Sequence, residues 1–340
     1  MQRPGWLYAP GAGLVFAAAL LALVEAYLHT DAFLYRYRSV FAVGRAMDKL
    51  RYVESHVPPV LIVGNSRVDN AFDPVTMQAN LPWIKPGEIF NLGMPGADAR
   101  TLYGVLARLG AKGLLGPKRI GWVVIGLDES FLQEGDSLGY GVFFANRTEL
   151  WDEHAYVDLA RSWIRLWGFS DNFKELREPA KFEQFISATF HDVDPVGGGA
   201  QAHLGYRAGF GGLQNAEQAA MQEAGSKQPP NPVVLGYFWR CLDLLSSRSV
   251  NVVVTFPPLL NRDVLYISPA DPASAPYLDV AAQIAARGIP MIALDPGGAR
   301  SASEFVNAGH LNDRGAQRFS RMLAKQLGKI WPASAFKEGR

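Results

Sequence analysis

The stretch LIVGNSRVDN, residues 61–70, decides the fold, because an apolar run leads into a glycine and a serine then stands at the turn. Continuously apolar, β-branched runs of this kind are typical of strands that are covered on both faces. Two interpretations of Ser66 follow. It is either a nucleophile displayed at the end of a buried strand, or the N-cap of the next helix, a frequent position for serine.

Similar apolar runs recur along the chain and alternate with helix-like stretches. This alternation is typical of a parallel sheet with crossover helices, so the sequence predicts an α/β fold. The predicted strands cover 59–64, 88–93, 121–127, 251–256 and 289–294. The predicted helices cover 98–111, 235–248, 273–287 and 312–328.

The N-terminal stretch 6–28 contains a single charge, Glu25. At 1.5 Å per residue it is long enough to cross the ~30 Å hydrocarbon core of a bilayer. The aromatic residues at its two ends suit the membrane interface: Trp6, Tyr8 and Tyr27. A cleaved signal peptide is the rival interpretation, but the run is long for one and no A-x-A site follows it. We expect an uncleaved transmembrane anchor.

Between the third and fourth predicted strands the alternation is interrupted by residues 131–234. Long insertions in compact domains are usually functional, and open α/β sheets bind ligands at the carboxyl ends of their strands. We therefore expect a cap subdomain over that edge. The predicted organisation is an anchor (1–30), a juxtamembrane helical segment (31–57), an α/β domain (58–130 and 235–332), the inserted cap (131–234) and a tail (333–340).

Composition narrows the function classes. The chain has 33 Lys and Arg against 32 Asp and Glu, and this balance gives no electrostatic reason to expect nucleic acid as a partner. The single cysteine, Cys241, excludes an intramolecular disulfide and a cysteine-based metal site. The histidines show no metal-ligand spacing, so we expect neither a metal nor a cofactor.

Residues of the kinds found in catalytic sites stand at three predicted element ends. Ser66 follows the first strand, Gly93 ends the second in FNLGMPG, and His310 precedes the last helix in NAGHLNDRG. Parallel strands bring their carboxyl ends to one edge of the sheet, so these residues are expected to lie close together. A serine nucleophile needs a base within hydrogen-bond reach, and histidine is the commonest choice.

The blocks G-N-S-R (64–67), N-L-G-M-P-G (91–96) and H-L-N-D-R-G (310–315) resemble those of SGNH (GDSL-like) hydrolases. Within that superfamily the chain is similar to membrane-anchored extracytoplasmic members. These include the D-alanyl-transfer protein of teichoic-acid modification and the SGNH partners of membrane-bound O-acyltransferases. The resemblance covers roughly 58–128 and 250–328 and implies a flavodoxin-like three-layer sandwich with a central parallel sheet.

The resemblance implies Ser66 as nucleophile, His310 as general base, and the N–H groups of Ser66 and Gly93 as an oxyanion hole. One departure concerns the third oxyanion donor, typically an asparagine, where this chain has Asp128. An ionised carboxylate cannot donate a hydrogen bond, so Asn91 is a possible substitute donor.

A second departure is Asn307, at the position where the family has its triad acid. Asparagine orients an imidazole but supplies no charge, a change that costs a serine protease about ten-thousandfold in turnover. A Ser–His dyad could be sufficient for slow acyl transfer, or Asp295 could approach from a neighbouring strand end. Arg67 is either a solvated cation or a ligand for a substrate carboxylate or phosphate.

The resemblance implies a serine O-acyltransferase or esterase that acts on acyl groups, expected to be acetyl, of a cell-surface polysaccharide. The bilayer and a membrane-bound O-acyltransferase are the partners it implies. The alternative is a catalytically impaired scaffold that binds a glycan or a membrane partner. The implied location is the inner membrane, with one span and a periplasmic or extracellular catalytic domain. Four positive charges follow the span: Arg36, Arg38, Arg45 and Lys49. Because positive charges are enriched on the cytoplasmic side, this count favours the opposite orientation, in which the protein would be a cytoplasm-facing lipid esterase.

Overall fold

The computed structural model describes residues 10–134, 139–194, 198–212, 228–298 and 300–331. A parallel sheet of five strands lies at its centre: β1 Val60–Gly64, β2 Ile89–Gly93, β3 Trp122–Gly126, β4 Asn251–Thr255 and β5 Met291–Ile292. The prediction of an α/β fold with a central parallel sheet is confirmed. The first four strands lie within one residue of their predicted bounds at each end, whereas β5 is shorter than predicted.

The helices are α1 Pro10–Leu28, α2 Asp31–Arg36, α3 Ala42–His56, α4 Ser66–Ala71, α5 Pro74–Ala79, α6 Ala99–Ala111, α7 Tyr140–Phe143, α8 Arg147–Asp152, α9 Tyr156–Trp163, α10 Arg165–Gly168, α11 Ser170–Glu175, α12 Pro179–Phe190, α13 Pro232–Ser247, α14 Ala275–Ala286 and α15 Asp313–Ile330. Short 3₁₀ turns cover Glu129–Leu132, Leu265–Ile267, Pro272–Ser274 and Ala302–Glu304. An antiparallel pair, β6 Phe305–Asn307 and β7 His310–Leu311, precedes α15.

The strand order in the sheet is β2-β1-β3-β4-β5. The chain moves outward from β1 to β2 and then returns to place β3 on the other side of β1. Such a reversal leaves a crevice at the carboxyl ends of the strands, where open α/β sheets bind ligands. The register pairs Gly64 with Gly93, so the loops that follow β1 and β2 start side by side.

Side chains of β1 alternate between two apolar layers, as the two-residue period of a strand requires. Leu61 and Val63 pack in the layer formed with α3, α6, α13 and α14, and Val60 and Ile62 pack in the layer formed with α4, α5 and α15. All four side chains are fully buried. The continuously apolar run of the sequence is therefore explained by helices on both faces.

The N-terminal helix α1 leaves its apolar side chains exposed, with Leu14 at 73% and Phe16 at 72%. Within the part of the chain described, residues 11–28 form the one helix that is long and apolar enough to cross a membrane. A buried core helix would hide these side chains, so the exposure fits a lipid-facing surface. The predicted interfacial residues Trp6 and Tyr8 and the predicted tail 333–340 lie outside the described residues.

The predicted juxtamembrane segment 31–57 forms α2 and α3 rather than one continuous helix. Helix α3 buries Met47, Leu50 and Val53 in the core against the sheet. This segment is therefore one of the helices that cover the sheet, and the predicted boundary at residue 58 does not separate two packing units.

The insertion has two parts in the described residues. Helices α7 to α11 contact one another and also α1 and α6, and α12 is joined to α2 by the hydrogen bond from Arg36 to Thr189 O. Residues 198–212 instead run along the edge strand β2. Asn91 N–H donates to Leu204 O (2.9 Å). The next residue, Gly205, must be a glycine, because its φ is +83° and a Cβ would lie 2.1 Å from Asn91 O. Beyond this point Arg207 N–H donates to Asp69 O (3.1 Å). Residues 198–212 are thus the part of the predicted cap that reaches the carboxyl edge of the sheet.

Candidate active site

Ser66 is the first residue of α4, and it does not cap that helix. The cap is Asn65, whose Oδ1 accepts a hydrogen bond from Arg67 N–H (3.0 Å). The Ser66 hydroxyl is left free for another partner and lies 2.9 Å from His310 Nε2. Because the first N–H groups of a helix have no acceptor within the helix, the Ser66 N–H also remains available.

The β6–β7 pair holds His310 beside Asn307, and His310 Nδ1 lies 2.9 Å from Asn307 Oδ1. Gly309 N–H donates to the same oxygen at 3.0 Å. This second donor fixes the amide so that its oxygen, not its nitrogen, faces the imidazole. Nδ1 therefore carries the proton and donates to Asn307, and Nε2 is left as the acceptor for the Ser66 hydroxyl proton. This is the tautomer that a general base requires.

Burial, the largest cause, and the nearby positive charge of Arg67 together lower the pKa of His310 to about 4. The carboxylates of Asp128 and Asp69 oppose this effect without overcoming burial. The imidazole is therefore neutral across the physiological pH range, the form that accepts a proton. Because Asn307 is uncharged, it adds no stabilisation to the imidazolium.

The N–H of Gly93 and the side-chain amide of Asn91, both predicted as oxyanion donors, are already bonded within the fold. Gly93 N–H donates to Asn91 Oδ1 (2.7 Å). The Asn91 amide nitrogen donates to Val68 O (2.9 Å) and Phe72 O (2.7 Å) in a fully buried position. The Asn91 side chain thus ties β2 to the carbonyls of α4, and neither group has a hydrogen left for a substrate.

Another backbone N–H group, that of Gly96, lies three residues further on, in the turn Met94–Ala97. Ala97 N–H donates to Met94 O (3.0 Å), and Gly96 has φ +78° after Pro95, as a type II turn requires. Among the described residues the Gly96 N–H has no acceptor. The Pro-Gly pair in the second motif was the sequence signal for this turn.

Asp128 and Arg67 stabilise the turn between β1 and α4 that carries Ser66. Asp128 is fully buried and its Oδ2 accepts from Asn65 Nδ2 (2.8 Å), so it orients the residue that caps α4. Arg67 Nη1 lies 3.1 Å from Asp128 Oδ1. Arg67 is thus a buried, ion-paired side chain, and the interpretation as a solvated cation is wrong.

Asp295 does not take the place of a triad acid. Its carboxylate is exposed and lies 3.8 Å from Arg318 Nη2, while the His310 Nδ1 position is occupied by Asn307. The hypothesis that the Asp295 carboxylate approaches the His310 imidazole is therefore wrong.

Sequence reasoning did not find a buried ionic group that lies behind the second motif. Lys49 Nζ donates to Asp69 Oδ1 (2.5 Å) and to Gly93 O (2.6 Å), and Arg45 Nη2 lies 3.4 Å from the same Asp69 oxygen. Burial lowers the pKa of Lys49 to about 8. The group ties α3, α4 and the end of β2 together. No sequence pattern marks it, because Lys49 and Arg45 lie twenty or more residues from the groups that they contact.

Arg207 was also missed. Its guanidinium lies over the Phe210 ring at 5.0 Å and makes no hydrogen bond or ion pair with the described residues. Its positive charge makes a small contribution to the lowered pKa of His310. Among the described residues no carboxylate is bonded to Arg207, and the sequence signal was an arginine in a glycine-rich insertion.

The described residues contain no group of His, Cys, Asp and Glu that could hold a metal ion. Among known proteins, no family model matches the chain and no curated sequence matches it significantly. The functional argument therefore depends on the geometry above.

We expect Ser66 reactivity and His310 charge to titrate with a midpoint near pH 4. The folded pKa of His310 lies below the unfolded value of about 6.5, so the unfolded chain binds more protons and stability falls as pH drops from 6.5 to 4. The shift corresponds to roughly 3 kcal/mol. NMR titration of ¹³C-labelled histidine, with His310→Gln for assignment, measures it. A midpoint between pH 6 and 7 would contradict the expectation.

Proposed function

We propose that this protein is a membrane-anchored serine O-acyltransferase or esterase of the SGNH type. One observation carries the proposal: the connected series Ser66 Oγ, His310 and Asn307 Oδ1, with two links of 2.9 Å each. Nucleophile, base and orienting group stand in the order that covalent acyl transfer needs. The three motif blocks that resemble SGNH hydrolases and the β2-β1-β3-β4-β5 strand order support the same family.

In the proposed reaction His310 Nε2 takes the hydroxyl proton as Ser66 Oγ attacks the acyl carbonyl carbon. The oxyanion accepts hydrogen bonds from the N–H groups of Ser66 and Gly96. His310 then returns the proton to the leaving alcohol, and an acyl ester remains on Ser66. A sugar hydroxyl or water, deprotonated by His310, attacks this ester and restores the free serine. The substrate, an acyl group of a cell-surface polysaccharide with acetyl expected, rests on the family resemblance.

The alternative is a scaffold that has lost most of its activity. The surroundings of the His310 imidazole favour this alternative. The imidazole has no carboxylate partner and its pKa is lowered to about 4, so forming imidazolium during acylation is costly. Such a protein would use the cleft to bind a glycan or a membrane partner.

A fluorophosphonate probe distinguishes the two functions. We expect the purified chain to be labelled on Ser66, because a neutral imidazole accepts its proton at 2.9 Å. Ser66→Ala and His310→Ala should lose the label, whereas Ser247→Ala, at an exposed serine in α13, should keep it. Mass spectrometry locates the adduct. An unlabelled wild-type chain would overturn the enzyme proposal and leave the scaffold.

A second test restores the missing charge. In Asn307→Asp a carboxylate would face His310 Nδ1, raise the imidazole pKa and stabilise imidazolium. We expect acylation by the probe to accelerate at least tenfold, a small part of the ten-thousandfold effect of the reverse change in a serine protease. Asn307→Ala, which leaves Nδ1 without an acceptor, should slow it. An unchanged rate in Asn307→Asp would show that His310 does not act as the base.

For location, we propose a single span through the cytoplasmic membrane, with the catalytic domain on the periplasmic or outer side. Three of the positive charges that argue for the opposite orientation have roles within the fold. Arg38 pairs with Asp192 (2.8 Å), and Arg45 and Lys49 approach Asp69. Their presence therefore needs no explanation from membrane topology, and the family resemblance supports the outer side and a membrane-bound O-acyltransferase as partner.

Reporter fusions at the C-terminus test the orientation. We expect alkaline phosphatase, which requires an oxidising compartment, to be active there and a cytoplasmic fluorescent reporter to be dark. Fusion of both reporters after residue 57 provides the matched control, because only α2 and α3 lie between that point and the span, and neither is long and apolar enough to cross a membrane. The reverse pattern at both points would establish a cytoplasm-facing domain.

A further inference from the structure

Two groups of apolar side chains on the inserted helices are exposed. The first, here called the tryptophan group, comprises Trp163, Ile164, Leu166 and Trp167 at the junction of α9 and α10. The second, the α12 stripe, comprises Phe182, Ile186 and Phe190. Phe190 is 72% exposed and Trp163 58%. Contiguous apolar surface of this kind is uncommon on soluble monomers and marks protein or membrane contacts.

The tryptophan group is joined directly to the end of α1. The carboxylate of Glu25, in the last turn of that helix, accepts hydrogen bonds from the N–H groups of Arg165 and Leu166. His29 Nε2 lies 3.2 Å from Trp163 O. The group therefore lies at the level where the apolar helix ends.

The α12 stripe lies at the same end of α1. Its members recur every four residues, so they occupy one side of the helix. The rest of α12 is attached to α2, which begins three residues after α1: Phe185 stacks on Tyr37 with ring centroids 4.6 Å apart, and Arg36 donates to Thr189 O (3.0 Å). The fold thus holds both groups beside the boundary of the apolar helix.

A bilayer fits these surfaces better than an anionic partner does. The groups adjoin a helix whose own apolar side chains are exposed, and tryptophan is enriched at membrane–water interfaces. Residues 140–190 carry six Lys or Arg against eight Asp or Glu, so the segment has no excess positive charge to attract anionic lipid. Its attachment must come from apolar burial.

We propose that the tryptophan group and the α12 stripe insert into the interfacial layer of the membrane that α1 crosses. Interfacial helices place their apolar faces roughly 5–10 Å into the headgroup and acyl boundary. The α/β domain is then held against the bilayer at three points rather than on a single tether. This inference uses α1 as an anchor but does not depend on the proposed catalytic activity.

Site-directed fluorescence tests the insertion in the full-length chain. Ile164→Cys and Ile186→Cys are labelled with the environment-sensitive dye NBD after reconstitution into phosphatidylcholine vesicles. Val75→Cys, another exposed apolar position, lies on α5 across the sheet and serves as the matched control. The native Cys241 is fully buried, so the unsubstituted chain should take up no dye and provides the blank.

We expect blue-shifted emission at 164 and 186 and quenching by lipids that carry a doxyl group high on the acyl chain, with neither effect at 75. Added phosphatidylglycerol should leave the result unchanged, because the contact is apolar. Emission at 164 and 186 that matches position 75 in these vesicles would overturn the proposal. A blue shift at 164 and 186 that appears only in native membranes, and not in pure lipid, would overturn the proposal in favour of a protein partner.

Discussion

The hydrogen bond between Ser66 and His310 joins residues that are 244 positions apart, and the site exists only because helix packing holds its two ends together. Helix α15 follows His310 and is fixed against the far end of α4. Asp73 N–H donates to Ser320 Oγ (2.8 Å), and the Phe72 and Phe319 rings meet edge to face. With α15 docked on the C-terminal end of α4, the β6–β7 pair that precedes it is placed over the N-terminal end. The apolar layer formed by α4, α5 and α15 therefore sets the distance between Ser66 and His310.

Ion pairs make this crowded edge of the sheet compatible with a neutral histidine. Asp69 is matched with Lys49 and Asp128 with Arg67, so the buried carboxylates that could hold a proton on the imidazole are themselves compensated. Breaking one partner of such a pair leaves an uncompensated buried charge, typically at a cost of about 3–5 kcal/mol. A base with a lowered pKa accepts a proton weakly and, once protonated, donates it readily. In the proposed reaction, such a base is better suited to protonating the leaving alcohol than to activating Ser66.

The sequence predicted most of the sheet and little of the polar chemistry, for a physical reason. The bounds of the first four strands were predicted to within one residue because burial on both faces of a sheet requires a continuous apolar run. The bounds of α6 were predicted equally well. The contacts of Asn91 and Gly93 were misjudged because a side chain in a strand turns toward whichever helix packs there, and that depends on α4. Lys49 was missed because its partners are distant in sequence, and Arg207 because its position depends on a backbone hydrogen bond to the distant Asp69. The motif resemblance drew attention to Ser66 and His310, which composition alone would not have done.

The insertion connects the two surfaces on which the proposals depend. Its helical part carries the apolar groups beside α1, and its glycine-containing part, residues 198–212, runs along β2 to α4, where Arg207 N–H donates to Asp69 O. A crossover from β3 to β4 needs only a helix, which α13 supplies, so the sheet itself does not require so long a connection. One chain segment therefore contacts the end of the apolar helix and also α4, the helix that carries Ser66. The proposed contact with the bilayer and the surroundings of the candidate site both depend on this insertion.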